Sequence, residues 1–353
     1  MIQRRYLILA PHLFATRSAK TAHGVIAYST DVTVAVVDPD HAGKRVRDVV
    51  HYLNSDAPIV ATVAEGLAFG PTSLLVGMAP PGGALPIAWR DEVSAAIRAK
   101  LEIVSGLHDF LGDDVEFRGL ADEHDTRIWD LRLPPAAPLF SGAAYDIEAK
   151  ILLTVGSDCA VGKMTASLEI AQAARERGVD ATFVPTGQTG IAIAGWGTSI
   201  DRVIADFAPG AAEQLVLEGE RRAPGLLVVE GQGGINHPAY APVTLALLYG
   251  SAPDALVLVH LVKRKEIEGY GIPLLSYRDL IRTYESLCAG VKPARVIGIA
   301  LNTLGLTDAE AHAAIADARA QTQLPVDDLV RFGAHAFYDA IAPAIVKTKV
   351  LQV

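Results

Sequence analysis

Short apolar runs rich in β-branched residues alternate along the chain with stretches whose apolar positions recur every three or four residues. That is the pattern of buried parallel strands joined by helices. Tyr6–Ala10, Val32–Asp38, Pro58–Thr62 and Ser73–Met78 read as the strands of a first domain, and a longer helix is expected from about Trp89 to Val104. Pro80-Pro81-Gly82-Gly83 reads as a loop. From Asp113 to Ala149 the chain is charged and then proline-rich, at Leu133-Pro134-Pro135-Ala136-Ala137-Pro138, which is the composition of a junction. Beyond it the alternation resumes. Lys150–Thr154, Ala181–Pro185, Leu226–Val229, Ala255–His260 and Arg295–Thr303 read as strands, with helices from Ala166 to Arg177 and from about Asp308 to Ala320, and Leu324–Asp328 closes the pattern. The expected fold is α/β throughout. Residues 1–145 are expected to form a Rossmann-like parallel-sheet domain with its linker, and residues 146–353 a second parallel-sheet α/β domain.

The strongest chemical signal lies between the strand Lys150–Thr154 and its helix: Gly156-Ser157-Asp158-Cys159-Ala160-Val161-Gly162-Lys163-Met164-Thr165. Strand, glycine loop, lysine and helix form a phosphate loop: the glycines let successive N–H groups point inward, the helix N-terminus adds positive potential, and Lys163 adds a full charge. Five residues separate Gly156 from Gly162, against the usual four, and Met164 stands where a magnesium-binding hydroxyl normally follows the lysine. Thr165 comes one place later. Residues 146–353 are therefore expected to form a P-loop NTPase-like domain with an anion in the loop, and cleavage of a magnesium-bound triphosphate is disfavoured.

Other strand ends carry further candidates, because open parallel sheets bind ligands at the carboxyl ends of their strands. Leu226–Val229 ends in Glu230-Gly231-Gln232-Gly233-Gly234, a Walker-B-like acid followed by glycines. His237, on the same loop, is a candidate acid–base histidine. Thr186-Gly187-Gln188-Thr189-Gly190 is a second glycine turn, expected to serve the substrate, and Gly195-Trp196-Gly197 continues it. Asp201 and Asp206 are expected on the following helix. His260 and Asn302 arrive at the ends of later strands, Asn302 where related folds read a nucleotide base. Lys263-Arg264-Lys265 is either a solvated helix start or a further phosphate contact. In the first domain Lys20 and His23 are candidates for lining a cleft. Asp38 suits a ribose contact or, more simply, a turn. No G-x-G-x-x-G follows the first strand, so no dinucleotide is inferred.

Composition narrows the setting. The 353 residues suit two domains, and 50% hydrophobic with 20% charged residues is ordinary for an α/β enzyme. A net charge of −9 argues against nucleic acid or an anionic membrane as a partner. The two cysteines, Cys159 and Cys288, provide no disulfide framework and fit a cytoplasmic location. Met1–Ala10 imitates a signal peptide until Pro11 and His12 cut the apolar run short. No apolar segment is long enough to span a bilayer.

The five-spaced loop, Glu230–Gly234 and Leu301-Asn302 resemble the dethiobiotin synthetase and cobyrinate amidase branch of P-loop proteins. A narrower resemblance covers nearly the whole chain. Gly156–Thr165, Pro185–Gly190, Glu230–Gly233, Gly298–Thr303 and Lys20–Gly24 together resemble a bacterial family long labelled a domain of unknown function, whose characterised members include a D-glutamate N-acetyltransferase. The resemblance implies transfer of an acetyl group from acetyl-CoA to the amine of a small acidic amino acid. Lys163 and the loop amides would hold phosphate. Glu230 or His237 would deprotonate the ammonium, and Gly187, Gln188, Thr189, Gly190, Gly231, Gln232 and His260 would surround the substrate. Cys159 is a conceivable acyl carrier if the helix N-terminus and Lys163 depress its pKa. No metal is expected. The alternatives are an ATP- and magnesium-dependent ligase or kinase, with Thr165, Glu230, Asp201 and Asp206 at the metal, and a non-catalytic nucleotide-binding module. The expected partners are a small amino acid or carboxylate and further copies of the same chain.

Overall fold

A computed structural model describes residues 3–78 and 83–346. The loop expected at Pro80-Pro81-Gly82 lies outside the described residues. The chain divides into two compact units, Met1–Pro134 with Gln188–Ser199, and Pro135–Gly187 with Ile200–Val353. No helix among the described residues is long and apolar enough to cross a membrane.

The first unit is a six-stranded parallel sheet of β1 (Arg5–Leu9), β2 (Val32–Val37), β3 (Ile59–Val60), β4 (Ser73–Val76), β5 (Glu102–Ser105) and β6 (Ile128–Asp130). Their order, β3-β2-β1-β4-β5-β6, is that of a doubly wound nucleotide-binding sheet. Tyr6 to Leu9 are all fully buried, as strands covered on both faces require. Two expectations fail here. The helix expected from Trp89 to Val104 is Arg90–Arg98 only: Lys100 takes a left-handed φ of 62° and the chain turns into β5. Ile103 and Val104 are fully buried and pair with β4 and β6, so the apolar run belongs to the sheet. The supposed linker from Asp113 likewise contains the helix Val115–Glu123 and the edge strand β6. Asp114 starts that helix by accepting from the amides of Glu116 and Phe117, and Phe117 fills the core.

The second unit is also a six-stranded parallel sheet: β7 (Lys150–Gly156), β8 (Ala181–Val184), β9 (Leu226–Val229), β10 (Ala255–Leu261), β11 (Arg295–Asn302) and β12 (Val326–Asp327). Their order is β12-β11-β10-β7-β9-β8. The first strand of the unit is thus central, between β9 and β10, and the carboxyl ends of these three carry the loops described below. Behind the Pro134–Pro138 stretch, Glu213 anchors the incoming chain. Its buried carboxylate accepts from the amides of Ser141, Gly142 and Ala144 and from the Ser141 hydroxyl at 2.8–3.2 Å.

The segment Gln188–Ser199 leaves the second unit in sequence and packs in the first. It opens as the helix Gln188–Ala194, whose Thr189 hydroxyl meets that of Thr21 at 2.9 Å on the helix Lys20–Tyr28. Ser29 donates to the Ile193 carbonyl, and Ser199 to that of Leu131.

Because the buried Glu213 carboxylate holds three backbone donors and a hydroxyl, Glu213→Ala should cost about 1–3 kcal/mol, with Glu213→Gln less damaging. Denaturant midpoints would measure both.

Candidate active site

The phosphate loop bends through two left-handed residues, Ala160 (φ 51°) and Gly162 (φ 112°), before the helix Lys163–Glu176 begins. Neighbouring strands brace it. The Gly156 carbonyl accepts from the buried Tyr284 hydroxyl at 2.7 Å, and the Ser157 amide donates to the Val259 carbonyl of β10. Asn302 spans the loop's far side, donating through Nδ2 to the Val161 carbonyl at 3.2 Å and accepting through Oδ1 from the Leu304 amide. Both ends of that amide are occupied inside the protein, so Asn302 braces the loop where a base contact was expected. Met164 and Thr165 are half-buried in the first helical turn.

Lys163 is buried, and its ammonium turns back to donate to the Asp158 carbonyl at 2.8 Å. Burial pushes its pKa down to about 8, against the opposing pull of the neighbouring Cys159, Asp158 and Glu230. At the end of β9, Glu230 is also buried. Its Oε2 accepts from the amides of Thr186 and Gly187 at 2.9 and 3.1 Å, while the Thr186 hydroxyl donates to the Glu230 carbonyl. Burial raises its pKa to about 7, the two amides and Lys163 opposing. The strand ends approach closely: a Cβ on Gly231 would stand 1.7 Å from the Thr154 carbonyl oxygen, so only glycine fits there. Gly231 donates to the Thr154 hydroxyl, which also meets that of Ser167. Gln232 donates to the Thr186 carbonyl and hydroxyl and so buttresses the same turn.

The histidines differ from expectation. His237 is buried, stacked on Tyr240 at 4.4 Å and edge-on to Tyr270. Its Nδ1 accepts from the Ala239 amide at 3.1 Å, which leaves the proton on Nε2. In that tautomer His237 presents a donor at Nε2. Asp158, Cys159 and His237 each bring a donor atom within 4.8 Å of one another. His260 Nδ1 lies 2.9 Å from the Ser157 hydroxyl, and burial with the charges of Lys265 and Arg264 pushes its pKa down to about 4. It braces the loop as a neutral ring. His23 donates through Nε2 to the Phe14 carbonyl and accepts through Nδ1 from Tyr52, a structural role within the first unit, and Lys20 is exposed.

Three further expectations are corrected. Gln188, Thr189 and Gly190 begin a buried helix in the first unit, where a glycine turn was expected. Asp201 and Asp206 occupy separate 3₁₀ turns, Ile200–Arg202 and Ala205–Phe207, ahead of the helix Ala208–Arg222, and both are exposed. They do not share a helix face. Burial, then Asp158 and a hydrogen bond to Glu268, drive the Cys159 thiol up to about 12, which removes it as an acyl-carrying nucleophile. Asp38 is a turn residue: its buried carboxylate accepts from the His12 amide and meets His41 at 2.6 Å. Tyr284 and Glu268 carry no signal in the sequence, since each reaches the site from an element with no local motif.

A parallel sheet whose central strand ends in a glycine–lysine loop, beside a strand ending in a buried acid, defines a P-loop α/β protein, here preceded by a Rossmann-like domain. The chain belongs to the DUF1611 family. Residues 138–338 match its P-loop domain and residues 39–134 its Rossmann-like domain, both described as domains of unknown function. It is 41% identical over 69% of its length to a D-glutamate N-acetyltransferase of Pseudoalteromonas sp., covering 73% of that protein. It is 32% identical over 97% of its length to a D-glutamate N-acetyltransferase of Tritonibacter scottomollicae, covering 99% of it. A crystal structure of a DUF1611 family protein from Anabaena variabilis superposes with a TM-score of 0.91 at 37% identity, over 97% of this chain and all of that one.

Lys163→Ala should abolish pyrophosphate binding measured by calorimetry. In the wild-type protein the affinity should fall as pH rises past about 8, where the free lysine loses its proton.

Proposed function

We propose that the chain is an N-acetyltransferase that moves the acetyl group of acetyl-CoA onto the amine of a small acidic amino acid, D-glutamate or a close analogue. The names of its two curated relatives support that substrate class. The observation that carries the reading is the pairing of Lys163 with Glu230 at adjacent strand ends, a buried cation beside a buried acid with a pKa near 7. An amino group with a pKa near ~10 is almost wholly protonated at neutral pH and is no nucleophile until a base takes its proton. Glu230 suits that role, because burial lifts its basicity into the working range and the Thr186 and Gly187 amides hold Oε2 in place.

The loop suits the phosphate-bearing end of the acyl donor. Gly156 and Gly231 keep side chains out of the cradle, where a Cβ would lie 2.7 Å from the Lys163 ammonium or 1.7 Å from the Thr154 carbonyl. Lys163 then exchanges the Asp158 carbonyl for a phosphate oxygen. Met164, in place of the usual hydroxyl, suits an anion held without magnesium. Acetyl-CoA supplies an acyl group already activated as a thioester. In the transfer a C–N bond forms as the C–S bond breaks. Glu230 takes one proton from the ammonium to free the nucleophile, and the second, shed by the nitrogen as the amide forms, goes to solvent, which protonates the departing thiolate.

Incubation of the protein with acetyl-CoA and D-glutamate in EDTA should release free thiol and give N-acetyl-D-glutamate. kcat/KM should rise with pH through about 7 as Glu230 ionises. Glu230→Gln should lower kcat at least a hundredfold and erase that limb while leaving coenzyme A affinity within about threefold. Tight MgATP binding with ADP release, and no thiol release, would refute the proposal.

A further inference from the structure

Asp158 is out of place in an anion-binding loop. Its carboxylate is fully buried in the turn whose amides and lysine are proposed to receive phosphate, and an unpaired negative charge there would repel the ligand. The structure pairs it. Arg264, with a side chain only 15% exposed, donates through Nη1 to Asp158 Oδ2 at 2.7 Å. Oδ2 also accepts from the Glu268 amide at 2.9 Å, and Oδ1 from the Cys159 amide at 2.8 Å. Glu268 returns two contacts, to Arg264 at 3.4 Å and to the Cys159 thiol at 3.4 Å.

Arg264 and Glu268 lie on one small hairpin. The Ile267 amide donates to the Ile272 carbonyl and that of Leu274 to Lys265, Glu266 and Pro273 face each other, and Gly269 and Gly271 make the turn with φ of 82° and 64°. The hairpin's Tyr270 reaches His237. Asp158 is therefore the joint between the phosphate loop and this hairpin.

We infer that Arg264 is a positioning residue: its guanidinium cancels the Asp158 charge so that the loop can accept an anion, and the pair pins the hairpin's root against the loop. Lys263 and Lys265, on either side, are exposed and make no such pairing with Asp158. The first half of the inference rests on the anion-loop reading above, and the pinning does not.

The test is a charge-cancellation cycle in the full chain, with pyrophosphate as calorimetric probe and trypsin cleavage at Lys263 and Lys265 as a second readout. Arg264→Ala should weaken pyrophosphate about tenfold or more, because it strands the buried carboxylate. Asp158→Asn combined with Arg264→Ala should recover affinity to within about threefold of wild type, a rescue that mere damage to the fold would not give. Each single variant should be cleaved faster than wild type at the hairpin root. Wild-type affinity in Arg264→Ala, or no recovery in the double variant, overturns the charge-cancelling role. If the wild-type protein binds no pyrophosphate, the anion-loop reading falls instead. Proteolysis then decides the pin alone, and equal cleavage of wild type and Asp158→Asn overturns it.

Discussion

The second unit is organised around the burial of opposite charges at the ends of neighbouring parallel strands. A lone ammonium or carboxylate withdrawn from water costs several kcal/mol, and burial of Lys163 beside Glu230 is tolerable only because each is compensated. Lys163 has the Asp158 carbonyl, and Glu230 has the amides of the 186–187 turn. Most of what surrounds the loop follows from that need. Glycines at 156 and 231 allow the backbones to approach, Tyr284 and Asn302 occupy loop carbonyls, and Gln232 steadies the turn that steadies Glu230.

Much of this is legible in the sequence, for a physical reason. A parallel strand buried on both faces must be a continuous apolar run, and the loop that follows it must carry the polar chemistry. Thus β7, β9, β10 and β11 and the residues at their ends can be found from local pattern alone. What cannot be found depends on distant partners. Nothing near Tyr284 in sequence announces that its hydroxyl will meet the Gly156 carbonyl, 128 positions away. The tautomer of His237 is set by one amide two residues on, a detail of turn geometry that composition does not carry. Cys159 misleads because helix potential and a nearby lysine are visible in the sequence, whereas the competing burial and the carboxylate of Glu268 are not.

In the first unit the same dependence on partners hides whole elements. Its edge strand and the helix before it lie in a stretch whose charge and proline content resemble a linker. Edge strands need only a few apolar residues, and β6 contributes three residues of which one is buried. Likewise the helix Gln188–Ala194 looks like a glycine turn because small residues dominate it. Those small residues let it lie against the helix Lys20–Tyr28, where Thr189 meets Thr21.

That helix makes the topology discontinuous: the amino-terminal unit is finished by a segment encoded nearly sixty residues beyond its last strand. During synthesis β1 to β6 emerge first, but the face that Ile191 and Ala192 will occupy stays bare until the ribosome has passed β8. The first unit therefore cannot be completed until residues 188–199 have been made. Severing the chain at the proline stretch would leave one fragment lacking a structural helix and the other carrying an orphaned one.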